Sequence, residues 1–305
     1  MAKYIVVKGS GGMSNRLQAA AAAVPYALLT GRTLCVDWRD SLYSDDASNT
    51  FTRYFDIAGV PYVDAPPASD DIFPVFWRER LALPVAVEYL FDNDHFDPEV
   101  FAATRIDLAR TDYENEVLVF WAPGMEPLQG LLPRLAALPE FSAFPGGPTL
   151  DQAGHVVLSR HIRPTGDVVR AVDGYAKLLR HPAVGVHVRH TDLESPVDRI
   201  LEEVRELVAR TGAQVFLCTD NLHVQTLFKR LFPDLLVTDK YLSPANEPLH
   251  GLIEGVSNVR KGMEALTDMY LLGRCEYVVH YAKSSFARIS ILATPIPSGN
   301  VVAIP

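Results

Sequence analysis

The stretch Val184-Gly185-Val186-His187-Val188-Arg189-His190-Thr191-Asp192 decides the fold of this 305-residue chain. It opens as an apolar run of strand length, and its alternation puts Val186 and Val188 on one face and His187 and Arg189 on the other. Two polar heads therefore leave the C-terminal end of a buried strand together. Toward the C-terminus the hydrophobic period then switches back and forth. It predicts a helix over 196–211, a strand over 214–218, a helix over 222–232 and a strand over 235–238. A helix over 261–272, a strand over 277–281 and a helix over 285–293 follow. Such alternation predicts a doubly wound domain on a parallel sheet.

Toward the N-terminus, residues 141–154 are rich in proline and glycine, which propagate neither a helix nor a central strand, so this stretch reads as a linker. Before it, 117–121 is strand-like and 127–138 helical, while prolines and acidic residues break 41–98 into an irregular excursion with short helices. The chain opens with a strand over 4–7, the glycine-rich turn Gly9-Ser10-Gly11-Gly12 and an alanine-rich helix over 14–30. Gly31 ends that helix at a left-handed cap, and a second strand spans 33–37. The expectation is an α/β protein of two Rossmann-like domains, 1–145 and 155–305, facing a cleft. Ligands of such domains sit where strand C-termini meet helix N-termini.

Composition narrows the partners. A net charge of −9 offers no uniform positive field, which argues against extended nucleic acid but leaves room for a local basic site holding a small phosphorylated ligand. Cys35, Cys218 and Cys275 are odd in number and lack metal-ligand spacing, so they read as small buried hydrophobes rather than a disulfide framework. No apolar run approaches the ~18 residues of a membrane span, and the N-terminal run is short for a signal peptide. The expected location is the cytoplasm.

Arg189 suits a diphosphate because its planar fork makes paired charge-assisted bonds and stays protonated. A surface Arg189, or an ion pair with Asp192, fits the same pattern. The turn Gly11-Gly12-Met13-Ser14-Asn15-Arg16-Leu17 presents backbone N–H groups to an anion at a helix N-terminus. Its spacing is neither Gly-x-Gly-x-x-Gly nor a Walker loop, which weighs against nicotinamide and ATP. Asp268 lies inside an otherwise apolar helix and calls for a pairing partner or a ligand, since an unpaired buried carboxylate is costly. Ser284 and Ser285 stand between a strand and a helix, where they either cap the helix or help bind phosphate.

The segment Gly185 to Asp192 closely resembles the first conserved peptide of α-1,6-fucosyltransferases, including the rhizobial Nod-factor fucosyltransferases, and shares His-x-Arg with protein O-fucosyltransferases. The segment Thr30-Gly31-Arg32-Thr33-Leu34-Cys35-Val36-Asp37-Trp38-Arg39 is similar to the Nod-factor branch. The resemblance implies a metal-independent, inverting glycosyltransferase of the GT-B type. It would transfer fucose from GDP-fucose to a glycan or glycoconjugate hydroxyl and need no cofactor beyond the donor. It implies that Arg189 grips the β-phosphate and His187 the nucleoside side. Asp268 would read guanine N1 and N2, and Ser284-Ser285-Phe286 with Arg288 would hold the diphosphate. Gly12, Ser14 and Asn15 would reach the phosphate or sugar, and Asp220, in Thr219-Asp220, would be nucleoside-side or structural. Asp37, Trp38 and Arg39 are candidate acceptor or sugar contacts. Beyond Asp192 the chain departs from the mammalian-type pattern of a lysine and then a glutamate base, because Leu193-Glu194-Ser195-Pro196-Val197-Asp198 stands there. Glu194, Asp198 and Asp37 are the alternatives for a general base. A GDP-sugar-binding protein without transferase activity, or a transferase of another nucleotide sugar, remains the competing reading.

Overall fold

The structure is a computed structural model that describes every residue except Met1, Ser41 and the stretches 86–90, 93–94, 97 and 250–252. It divides into two compact units, Met1–Thr165 and Gly166–Pro305.

In the first unit, strand β1 (Tyr4–Lys8) leads through the glycine turn into α1 (Met13–Thr30) and returns as β2 (Thr33–Asp37). A four-residue helix α2 (Phe51–Tyr54), strands β3 (Phe55–Ile57) and β4 (Ile72–Phe73), a short antiparallel pair β5 (Phe91–Asp92) and β6 (His95–Phe96), and helix α3 (Pro98–Thr104) make up the irregular excursion. Then come β7 (Val117–Phe120), α4 (Leu132–Leu135), α5 (Leu150–Arg160) and β8 (Ile162–Pro164). The main sheet is parallel in the order β2-β1-β7-β4. The alanines at 19–23 are all fully buried, small side chains letting α1 lie close against its neighbours. Gly31 adopts φ 65° as the left-handed cap expected of it.

The second unit holds α6 (Gly166–Ala176), β9 (Ala183–Val188), α7 (Val197–Thr211), β10 (Gln214–Thr219) and α8 (Leu222–Leu231). It continues with α9 (Asn258–Leu272), β11 (Tyr277–Tyr281), α10 (Ser285–Ala293) and β12 (Val301–Ile304). All four strands are parallel, in the order β10-β9-β11-β12. Val186, Val188 and Val279 pack with Ile200, Val204 and Phe228 of α7 and α8 on one face. On the other, Ala183, Phe216 and Cys218 pack with Leu271 and Leu272 of α9. The two-faced coverage explains why β9 reads as a continuous apolar run. A Cβ on Gly185 would come within 2.9 Å of Leu272 and 3.1 Å of Cys275, so glycine lets α9 settle onto the sheet.

Three sequence expectations change. The stretch read as a linker contains the start of α5, because Thr149 and Gln152 form a reciprocal capping box that nucleates the helix despite Gly154. The strand expected over 235–238 is reduced to a single bridge between Leu236 and Phe216 at the sheet edge. Strand β12, absent from the sequence reading, closes the opposite edge.

Candidate functional site

In each unit the chain leaves a central strand in one direction for its next neighbour and finds a later strand on the other side. β9 adjoins β10 and β11, and β1 adjoins β2 and β7. The C-terminal ends of β9 and β11, and those of β1 and β7, are thus topological switch points, the usual ligand positions of open parallel sheets.

At the first unit's switch point the polar groups are tied to one another. Lys8 and Asp37 end β1 and β2 in register, and Lys8 Nζ donates to Asp37 Oδ2 and to the Leu81 carbonyl, each at 2.6 Å. Arg39 donates to both oxygens of the same carboxylate, at 2.8 and 2.9 Å. Burial pushes the Asp37 carboxyl upward, but the bonds from Arg39 and Lys8 prevail and hold it below the usual carboxylate range. Asp37 is therefore a neutralised structural carboxylate, which weakens it as a general base. Trp38 is fully buried against Phe51 and Phe55, which corrects its expected role as an acceptor contact.

The glycine turn is equally anchored. Arg16, at 1% side-chain exposure, donates from Nε to the Gly11 carbonyl at 2.8 Å and from Nη1 to Asp40 at 2.6 Å. Its guanidinium also lies 5.1 Å from the Tyr43 ring centroid. A Cβ on Gly9 would meet Arg16 Nη1 at 2.5 Å, so glycine there makes room for the guanidinium. Gly12 is the N-cap of α1 and provides no side-chain cap. The first helical N–H, that of Met13, instead donates to Tyr43 Oη at 2.7 Å. Ser14 is buried with Oγ accepting from Gln18 Nε2 at 3.2 Å, and Asn15 packs beneath Gly11.

The second unit gathers Arg189, Glu194, Asp220, Ser284, Ser285 and Phe286 at the C-terminal edge of its sheet, beside His187. Arg189 makes a two-pronged ion pair with Asp192, Nε to Oδ1 at 2.7 Å and Nη2 to Oδ2 at 2.5 Å. The loop after it is fixed by Ser195, whose Oγ donates to the Arg189 carbonyl at 2.6 Å. Asp220 accepts from the His190 amide at 2.8 Å and the Thr191 hydroxyl at 2.7 Å, which makes it a loop anchor. Glu194 is exposed, and Asp198 is exposed in the first turn of α7.

His187 is stacked on Phe286, with ring centroids 4.9 Å apart and 11° between planes. Burial, aided by His280, Arg189 and Lys240, lowers its pKa to about 3, so the ring is neutral at physiological pH. Its Nδ1 is buried without a hydrogen-bond partner among the described residues, and so are His190 Nδ1 and Ser284 Oγ. Ser284 occupies the N-cap of α10 yet makes no side-chain cap bond. Buried polar groups normally find a partner, so these three vacancies mark this end of the sheet as built for something further.

Asp268 lies one layer in. Its carboxylate pairs with Lys240 and accepts from the Thr238 hydroxyl and, at 3.2 Å, from Cys218 Sγ. Burial pulls Lys240 down, but Asp268 outweighs it and the ammonium ends above its ordinary value. Burial and Asp268 together push the Cys218 thiol far up, so Cys218 is inert. Sequence reading missed Lys240, which lies in an aperiodic loop. It also missed Asn221, whose Oδ1 accepts from Val224 N at 2.9 Å while Nδ2 donates to the His190 carbonyl at 2.9 Å. An asparagine directly before an apolar-periodic run was the available signal there. Among the described residues no group of His, Cys, Asp and Glu has metal-binding geometry, and no helix is long and apolar enough to cross a membrane.

Comparison with known proteins finds the following similarities. The family model for Nodulation protein Z (NodZ) matches residues 149–296. Nodulation protein Z of Sinorhizobium fredii is 26% identical, over 96% of this chain and 91% of that protein. The crystal structure of NodZ alpha-1,6-fucosyltransferase soaked with GDP-fucose is similar with a TM-score of 0.68 at 26% identity, covering 96% of this chain and 93% of that one. POFUT1 in complex with GDP-fucose shares the fold at a TM-score of 0.53 and 14% identity, over 99% and 97% of the two chains.

Proposed function

We propose that the chain is a member of the GDP-fucose-dependent fucosyltransferase superfamily that includes NodZ and that it transfers fucose from GDP-fucose to a carbohydrate hydroxyl with inversion, a reading supported by its similarity to NodZ proteins. We assign the donor to the second unit and the acceptor to the first. The observation that carries the donor assignment is the juxtaposition of Arg189 with the unsatisfied Ser284 hydroxyl and the α10 N-terminus across the β9/β11 switch point.

In the transfer, the bond from fucose C1 to the β-phosphate oxygen breaks, the acceptor oxygen bonds C1 from the opposite face, and the acceptor proton passes to a base. Charge accumulates on the departing diphosphate. Arg189, trading Asp192 for phosphate oxygens, stabilises it with paired charge-assisted bonds. The α10 N–H groups and the Ser284 and Ser285 hydroxyls supply further donors. Neutral His187, held flat by Phe286, faces the nucleoside. Asp268 reads the base once its carboxylate leaves Lys240. With Asp37 neutralised, the exposed Glu194 and Asp198 are the stronger base candidates, and a dissociative reaction asks little of a base.

We propose that no metal is needed, on the strength of the family resemblance. The chain does carry one Asp-x-Asp triplet, Asp92-Asn93-Asp94, whose side chains lie outside the described residues. Turnover that survives EDTA supports metal independence, and loss restored by Mg²⁺ or Mn²⁺ overturns it.

Replacing Arg189 with alanine is expected to lower GDP-fucose turnover roughly 10²–10³-fold with the circular dichroism spectrum unchanged. Unaltered GDP affinity by calorimetry in that variant would sink the phosphate assignment. Thermal shifts with GDP-fucose, GDP-mannose and UDP-glucose identify the donor. The departure from the family's base pattern beyond Asp192 favours one second reading, a GDP-sugar-binding protein without turnover. GDP release across a panel of glycan acceptors disposes of it.

A further inference from the structure

Charge at the β9 end does not balance for a diphosphate. Arg189 is the cation at that strand end, Arg288 of α10 being the other guanidinium that the family resemblance brings to the diphosphate, and the Arg189 fork is occupied by Asp192. Asp220 anchors the same loop through its carboxylate, and exposed Glu194 follows. A guanidinium shared with nearby carboxylates is a poor sink for a leaving group carrying more than one negative charge.

The adjoining strand supplies what is missing. β11 runs beside β9 with His280 level with His187. β11 ends at Tyr281, and a turn closed by the Ser284 amide donating to the Tyr281 carbonyl at 3.0 Å carries Ala282 and Lys283 from that strand end into α10. Lys283 is exposed, forms no hydrogen bond or ion pair among the described residues, and has its ammonium 6.0 Å from the Tyr281 ring centroid. It immediately precedes Ser284, the N-cap of the nine-residue α10 whose buried Oγ has no partner. An unpaired cation, an unsatisfied hydroxyl and a helix N-terminus thus follow one another in sequence at the switch point, and each favours an anion.

We propose that Lys283 is a further cation of the diphosphate site, its ammonium meeting phosphate oxygens beside Arg189 as the leaving group departs. The inference rests on the assignment of the donor to the second unit. Lysine serves here as a mobile point charge on a long stem, able to follow the phosphate as Arg189 fixes it.

Calorimetry of the full chain with GDP, GMP and guanosine tests it. For Lys283→Ala, GDP affinity is expected to fall about tenfold or more, as for loss of a hydrogen bond to a charged group, with guanosine affinity unchanged. Lys283→Arg should recover most of the loss, and the kcat of Lys283→Ala for GDP-fucose should fall as well. A Lys283→Ala protein that binds GDP like the wild type, while Arg189→Ala does not, removes Lys283 from the site and leaves the donor reading standing. A wild-type protein that binds GDP no more tightly than guanosine removes both.

Discussion

The two switch points are built from similar residues and finished differently. At the end of β1, the Lys8 ammonium, the Asp37 carboxylate and the Arg39 guanidinium satisfy one another and the Leu81 carbonyl. Arg16 and Tyr43 hold the glycine turn in the same manner. The exception at this end is Trp38 Nε1, an indole donor enclosed without a partner. At the end of β9, His187 Nδ1, His190 Nδ1 and Ser284 Oγ are unsatisfied and Lys283 is unpaired among the described residues. A folded chain tolerates a buried polar vacancy where a ligand completes it, so charge density alone is a poor guide to a site and unmet valence a better one. The contrast predicts that substitutions at the first cluster act mainly on stability and those at the second mainly on ligand affinity.

The largest stability effect is expected at Asp37. Asp37→Asn strips the countercharge from buried Lys8, and leaving one member of a buried pair alone costs about 3–5 kcal/mol. Urea denaturation measures it. A loss below about 1 kcal/mol would mean that this cluster is not structural. Arg16→Met comes next, leaving Asp40 and the Gly11 carbonyl without their partner, at about 2–3 kcal/mol. If Arg16→Met melts like the wild type but loses GDP affinity, the comparison breaks, because the first cluster would then be part of the donor site.

Most of the fold was legible because its signals are local. Strand–helix alternation placed β9, α7, β10, α8, α9, β11 and α10 to within a few residues while missing α6 and β12, and Gly31 marked its helix end as a left-handed glycine does. Much of what failed depended on partners distant in sequence. Residues 235–238 have strand composition, but only Leu236 finds a bridge at the edge. α5 was hidden because glycine and proline around 145–154 masked the Thr149–Gln152 box. Within the site, Arg189 and Ser284 were visible as residue types at a strand end. The fate of Asp37 was not, since its neutralisation needs Lys8 from the neighbouring strand. Lys240 was invisible for the same reason, reaching Asp268 from an aperiodic loop 28 positions away.

A smaller effect is expected from His187, and it depends on pH. Its pKa in the fold is about 3 against an ordinary 6.5. Between those values the unfolded chain takes up a proton that the fold refuses, so stability is lost as pH falls below 6.5. The loss is on the order of 1 kcal/mol per pH unit across that window. His280 is shifted the same way, again chiefly by burial, so His187→Gln should flatten the slope between pH 7 and 5 without abolishing it. An identical slope in variant and wild type would show that the imidazole is wetter than its 5% exposure implies.

The smallest stability change discriminates most sharply between capping and binding. An N-cap serine that bonds its helix loses about 1 kcal/mol on truncation to alanine. Ser284 occupies that position without making the bond, so Ser284→Ala is expected to shift the stability of the ligand-free protein by less than about 0.5 kcal/mol. Its GDP affinity should nevertheless fall several-fold, up to about tenfold, because the hydroxyl's partner arrives with the phosphate. Paired melting curves with and without GDP read both quantities in one experiment. The opposite pattern, a loss near 1 kcal/mol with GDP affinity intact, would make Ser284 an ordinary cap. The unmet valence that separates the two switch points would then rest on Lys283 and the ring nitrogens of His187 and His190.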